Sequence, residues 1–132
     1  MFGTLDISTS GLVAQRTRLD AIAGNIANVS TAGRTDGSIE PYRRRAVLFG
    51  AGDGHGGRGV HVEKIVNDPE PARLVKEPGH PYADERGMVL YPNVDLPTEM
   101  IDGMLAVRAF EANVTAIEAT KAMAASTLRL LA

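Results

Sequence analysis

All seven prolines of this chain fall between Pro41 and Pro97. A proline inside a helix removes a backbone hydrogen bond and clashes with the preceding turn. The middle of the chain is therefore closed to regular helix, and only the two ends remain open to it. This distribution divides the 132 residues into a helix-competent start, a broken centre and a helix-competent end. It predicts a mainly α fold with a small β insert.

Both ends carry helical periodicity. From about Leu5 to Val29, Leu5, Leu12, Leu19 and Ile26 recur every seventh position, and Ile22 and Val29 follow three residues after the last two. Apolar residues at such a and d spacing mark helices that pair along their length. Asp6, Ser8 or Ser10 is expected to cap this helix, which would run about 36 Å at 1.5 Å per residue. From Thr98 to Leu131, Met100, Val107, Val114 and Leu128 share one heptad position. Phe110, Ile117, Ala124 and Leu131 share another. Pro97-Thr98-Glu99 reads as a helix start, with Glu99 and Asp102 complementing the helix dipole. This second helix would be about 50 Å long.

The two helices are expected to meet as an antiparallel, coiled-coil-like hairpin, with 1–32 and 98–132 forming one discontinuous helical unit. Residues 33–97 form the irregular, β-rich insert. Within it, 42–49 and 60–66 lean towards strand, as do Leu74-Val75 and Met88–Tyr91. The ten residues from Gly50 to Gly59 include six glycines and read as a long, flexible hairpin loop. Two helices alone bury only one narrow stripe each. Seams this long with so little cover point to partners, although heptad-like stripes also line closed bundles. On that reading Leu12, Leu19, Ile22, Ile26, Val107, Phe110, Val114 and Ile117 carry helix packing.

Chemistry is hard to find. The absence of cysteine excludes disulfides, thiolate metal sites and thiol nucleophiles. The segment GDGHGG matches G-x-G-x-x-G but leads into a strand rather than a helix, the wrong setting for a nucleotide. His55, His61 and Glu63 lack the spacing of a metal site. His80 with Asp84 is the one pairing worth entertaining for catalysis, and no nucleophile motif accompanies it. No cofactor and no enzymatic activity are expected. A formal charge of −2 gives no electrostatic ground for nucleic-acid binding. No window approaches the roughly 20 apolar residues of a membrane span. Asp6, Arg16, Arg18 and Asp20 interrupt any signal-like apolar run near the start.

Two polar groupings admit two readings each. Asn25 and Asn28 lie on one side of the first helix, and Asn113 is a counterpart on the last. They either mark a fraying helix end or hydrogen-bond between packed helices and fix their register, as a polar residue at a coil seam does. Arg43-Arg44-Arg45 is either a solvated edge that discourages stray pairing or a charged contact with a neighbouring subunit.

The segments GNIANVSTAG (24–33), PYRRRAVLF (41–49), GVHVEKIVNDPEPARLV (59–75) and EPGHPYADERGMVLYPNV (77–94) occur in order, followed by the EM…RAFEAN…TKAM run. Together they resemble the bacterial flagellar basal-body rod and hook family, nearest its proximal-rod branch. The first segment is common to several axial proteins; the PGHP-x-AD…PNV block is the more specific. Gly24 stands where the family usually has asparagine, Lys76 and Met88 stand where aromatics are common, and the glycine loop is unusually rich. The resemblance implies a non-enzymatic structural subunit that packs both terminal helices into a tubular assembly with copies of itself and other rod proteins. It implies export through the flagellar type III apparatus without signal cleavage, and a place in the rod as it crosses the periplasm. A discrete helical adaptor, forming a dimer or heterodimer, is the alternative. If the seams need partners, both terminal helices should be poorly ordered before assembly.

Overall fold

The computed structural model describes residues 2–131; Met1 and Ala132, the outermost residues of the expected helical unit, lie outside the described residues. Two long helices enclose a small β-rich middle. Helix α1 runs Phe2–Ala27 and helix α2 runs Leu96–Leu131. Between them lie β1 (Arg45–Ala51), β2 (Val60–Asn67), β3 (Arg73–Lys76) and β4 (Met88–Tyr91). Pairs β1–β2 and β3–β4 form two separate antiparallel two-stranded sheets.

The helix ends differ from expectation for identifiable reasons. Helix α1 begins ahead of Asp6, Ser8 and Ser10, so none of them caps its start; Ser10 sits inside the helix and its hydroxyl donates to the Ile7 carbonyl. Helix α2 begins two residues before Thr98 because Asp95 is the cap. The Asp95 carboxylate accepts the Thr98 N–H and hydroxyl, which satisfies a first-turn donor. These bonds, the hydroxyl foremost, hold the Asp95 carboxyl below its usual pKa. At the other end of α1, the Asn28 side chain donates to the Gly24 carbonyl at 2.9 Å and accepts from the Thr31 hydroxyl.

The chain then turns through 34–39, where Arg34 N–H donates to the Ile39 carbonyl. Gly33 pairs with Leu90 as an isolated antiparallel bridge, so the start of the insert covers the outer edge of β4. A Cβ at Gly33 would overlap the backbone of Ile39 and Pro41, so only glycine fits this crossing. The β1–β2 pairing slips between Leu48 and Phe49, leaving Glu63 as the extra residue of a bulge.

Helices α1 and α2 pack antiparallel, and the β1–β2 hairpin packs along α1 as well. Asn25 meets Glu99, Ile22 meets Gly103 and Gly11 meets Asn113. The fully covered apolar core is thin: Ala14, Ile22, Ala32, Val89, Val94 and Ala106. The covered positions of α1 are Gly11, Ala14, Ile22 and Asn25, and those of α2 are Glu99 and Ala106. The larger Leu12, Leu19 and Ile26 are half-buried.

Candidate assembly interface

Two features stand out: a buried polar latch that joins three parts of the chain, and an open apolar groove between the helices.

The latch centres on Asn25. This side chain is fully buried, and an amide in that position is costly unless all its groups find partners. Its Nδ2 donates to the Arg45 carbonyl at 2.9 Å and to Glu99 Oε2 at 3.1 Å. Its Oδ1 accepts the Tyr42 hydroxyl at 3.0 Å and the Arg45 N–H at 2.8 Å. Four bonds thus tie α1 to α2 and to the strand leading into β1. Glu99 is equally buried, and its other oxygen accepts from Arg44 Nε. A buried carboxylate demands such a partner. Arg44 also approaches Asp68 at 3.7 Å and Asp102 at 3.8 Å, and Arg18 approaches Asp102 at 3.9 Å.

The structure therefore separates residues that look alike in sequence. Arg44 enters the latch, Arg43 is exposed, and the Arg45 guanidinium lies over the Tyr42 ring at 5.9 Å. Asn25 bonds across to α2, whereas Asn28 bonds within the last turn of its own helix. Asn113 is not brought to either of them; it packs against Gly11, where an added Cβ would sit 2.8 Å from Asn113 Nδ2. Sequence reasoning missed Glu99 and Tyr42 as members of the latch. Glu99 was read as a complement to the helix dipole, and nothing local marked it as the partner of a residue 74 positions away.

The groove lies on one side of the helix pair. Leu19, Ile22, Ile26, Met104 and Val107 line it, and it encloses about 480 Å³. Met104 is 69% exposed and Val107 42%. Leu12, Phe110, Val114 and Ile117 are half-buried further along the pair. Met100, Ile101 and Leu105 add exposed apolar surface to the same half of α2. Contiguous exposure of this kind is unusual for a chain that works alone.

The residues considered for catalysis have structural employment. The Asp84 carboxylate accepts the N–H groups of Arg86 and Met88 and the Thr35 hydroxyl. These bonds, that of Met88 foremost, hold its carboxyl below the usual range. His80 Nδ1 accepts the Tyr82 N–H at 3.0 Å. Both residues shape the turn between β3 and β4. Among the described residues no cluster of His, Cys, Asp and Glu is disposed to hold a metal ion, and no helix is long and apolar enough to cross a membrane.

Two protein-family descriptions match the two ends of the chain, which supply the helical pair. Residues 5–33 match the flagella basal body rod protein family, and residues 85–130 match the C-terminal region of the flagellar basal body rod FlgEFG proteins. The class is thus that of flagellar basal-body rod proteins. Whole-length relatives narrow it. The chain is 41% identical to the flagellar basal-body rod protein FlgC of Yersinia enterocolitica, covering 98% of this chain and 97% of that one. It is 39% identical to FlgC of Borreliella burgdorferi (99% and 97% covered) and 39% identical to FlgC of Bacillus subtilis (98% and 97%). The chain belongs to the FlgC family of flagellar basal-body rod proteins, a family of structural proteins.

Proposed function

We propose that this chain is a structural subunit of the proximal part of the flagellar rod, polymerising through its terminal helices with copies of itself and with other rod proteins. The observation that carries this reading is the open apolar groove between α1 and α2 in a chain of the FlgC family. In this account 1–32 with 98–132 is the rod-core unit and 33–97 is the insert. Leu19, Ile22, Ile26 and Val107 receive a neighbouring helix, and Leu12, Phe110, Val114 and Ile117 continue the packing along the pair. Asn25 sets the geometry of the pair inside one subunit. Asn28 closes the end of α1 and Asn113 packs against Gly11 between the helices, each helping to fix register, and the exposed Arg43 is the member of the arginine run available to a neighbour. Arg44 and Arg45 act within the subunit. The subunit has no catalytic role, is exported through the flagellar type III apparatus without cleavage, and works in the periplasmic stretch of the rod.

Charge in the groove tests this. Leu19→Asp and Val107→Asp change partly exposed positions, so the purified subunit should keep its circular-dichroism melting profile. Cells carrying either variant should lose motility and lack rods. Normal swimming by both would overturn the groove as an assembly surface. A variant population that sediments as a discrete dimer, with flagella intact, would favour the adaptor instead.

A further inference from the structure

The chain has no cysteine and five methionines. Its sulfur atoms are therefore all thioethers, which peroxides convert to sulfoxides at a rate that follows exposure. Met1 aside, the methionines differ in setting. Met88 opens β4, is half-buried, and pairs across the sheet with Lys76. Met100, Met104 and Met123 lie on α2 and are 57%, 69% and 60% exposed. Of these, Met104 lines the apolar groove, together with Leu19, Ile22 and Ile26 of α1 and Val107 of its own helix.

The groove has little to offer a polar atom. Its charged lining residues, Arg108 and Glu111, pair with each other at 2.8 Å and stay exposed to solvent. The remaining lining side chains are apolar and hold no hydrogen-bond donor. A thioether suits such a surface, because it is apolar and adapts its shape to what packs on it. A sulfoxide does not. Its oxygen is an acceptor, and a helix seated over it removes its water without returning a hydrogen bond.

We propose that Met104 is an oxidation-sensitive site that controls access to the groove: the sulfoxide form does not receive a neighbouring helix. This rests on the reading of the groove as an assembly surface and adds a chemical condition to it. The reagent is hydrogen peroxide. A sulfur lone pair attacks one peroxide oxygen, the O–O bond breaks, and the departing hydroxide takes up the proton and leaves as water. Sulfur is oxidised by two electrons, the peroxide is reduced by two, and no other reactant is needed. In the single subunit peroxide reaches Met104; a helix packed over it excludes the reagent. One unpartnered polar atom in the contact weakens docking by roughly 10- to 100-fold, and a polymer meets that penalty at every oxidised copy.

Two measurements test this. Peptide mapping by mass spectrometry follows peroxide oxidation of each methionine in the purified full-length chain and in isolated basal bodies. Met104 should oxidise roughly tenfold faster in the free chain than in the rod, and faster than Met88 within the free chain. Equal rates at Met104 in chain and rod would overturn the proposal, and this comparison needs no variant. The second measurement counts rods in cells. Met104→Gln places a polar amide in the groove, whereas Met104→Leu stays apolar and resists peroxide. Met104→Gln should leave about a tenth of the wild-type rods or fewer, and Met104→Leu should leave near wild-type numbers. After a peroxide pulse, Met104→Leu cells should build new rods when wild-type cells do not. Normal rod numbers with Met104→Gln, or equal recovery of the two strains, would overturn the proposal. If Leu19→Asp abolishes rods while Met104→Gln does not, the groove reading stands and the oxidation site falls. If both variants assemble normally, the groove reading falls with it.

Discussion

Replacing Asn25 by alanine should be among the most damaging single substitutions in the molecule, although the residue is small and polar. The fully buried side chain makes four hydrogen bonds. Alanine leaves the Arg45 N–H and carbonyl, the Tyr42 hydroxyl and one Glu99 oxygen without that partner. A buried polar group left unsatisfied costs about 1–3 kcal/mol, and more when charged. Losses within one network do not add fully, and water entering the vacated space recovers part of them. The net expectation is about 3–4 kcal/mol, near the upper range for point substitutions. In urea, with a slope of about 2 kcal/mol/M, the unfolding midpoint should fall by roughly 1.5–2 M. Asn28→Ala is the matched control, because Asn28 bonds only within its own turn and to Thr31. It should cost about 0.5–1 kcal/mol. Equilibrium urea unfolding of the three purified chains, followed by circular dichroism, decides the matter. A loss below about 1 kcal/mol for Asn25→Ala, or equal losses for the two asparagines, would refute the latch.

The remaining expectations concern charge, pH and helix contact. Arg44→Met should destabilise by about 2–4 kcal/mol by stranding the Glu99 carboxylate, whereas Arg43→Met, at an exposed position, should stay within about 0.5 kcal/mol; thermal melts of both separate the two arginines. The folded-state pKa of Asp84 is depressed, so its contribution is present above its unfolded value and is lost as pH falls through the folded one. The β3–β4 turn should loosen in acid, below about pH 4, and amide protection factors over 84–88, corrected for the intrinsic exchange rate at each pH, should fall there in the wild type but change little with pH in Asp84→Ala. Gly103→Ala places a methyl group at ordinary contact distance from Ile22, 3.6 Å, and should stabilise by about 0.5–1 kcal/mol through helix propensity. Gly11→Ala meets the Asn113 amide at 2.8 Å, so it should gain less than Gly103→Ala in the same melt.

The proline distribution made the architecture readable, since it left helix only at the two ends, and α1 and α2 formed there. The strands also fell close to where β-leaning residues and turn signals placed them. The line of helix contact was less legible because heptad reading follows large apolar side chains. Here the covered positions of the helices include the small Gly11, Ala14 and Ala106 beside Ile22, and the leucines are only half-buried. The latch was legible only in part. Asn25 drew notice as an amide beside a seam, but its partners Glu99 and Tyr42 come from distant segments that folding alone brings together. Arg43, Arg44 and Arg45 read as a solvated edge or a subunit contact, yet nothing local said which of them would meet a buried carboxylate. The glycine loop was legible as a hairpin connection but not in detail. Glycine signals slack and left-handed backbone equally; Gly52, Gly54, Gly56 and Gly59 adopt positive φ, and the Asp53 carboxylate accepts the His55 and Gly57 N–H groups.

The most direct test of the account is a side-chain-resolution map of the assembled basal-body rod containing this chain. The account predicts that the groove lined by Leu19, Ile26, Met104 and Val107 is filled by a helix of a neighbouring subunit, with the Asn25–Glu99–Arg44 latch intact inside each subunit. A rod in which that groove faces solvent, with neighbours meeting only through the insert, would contradict it.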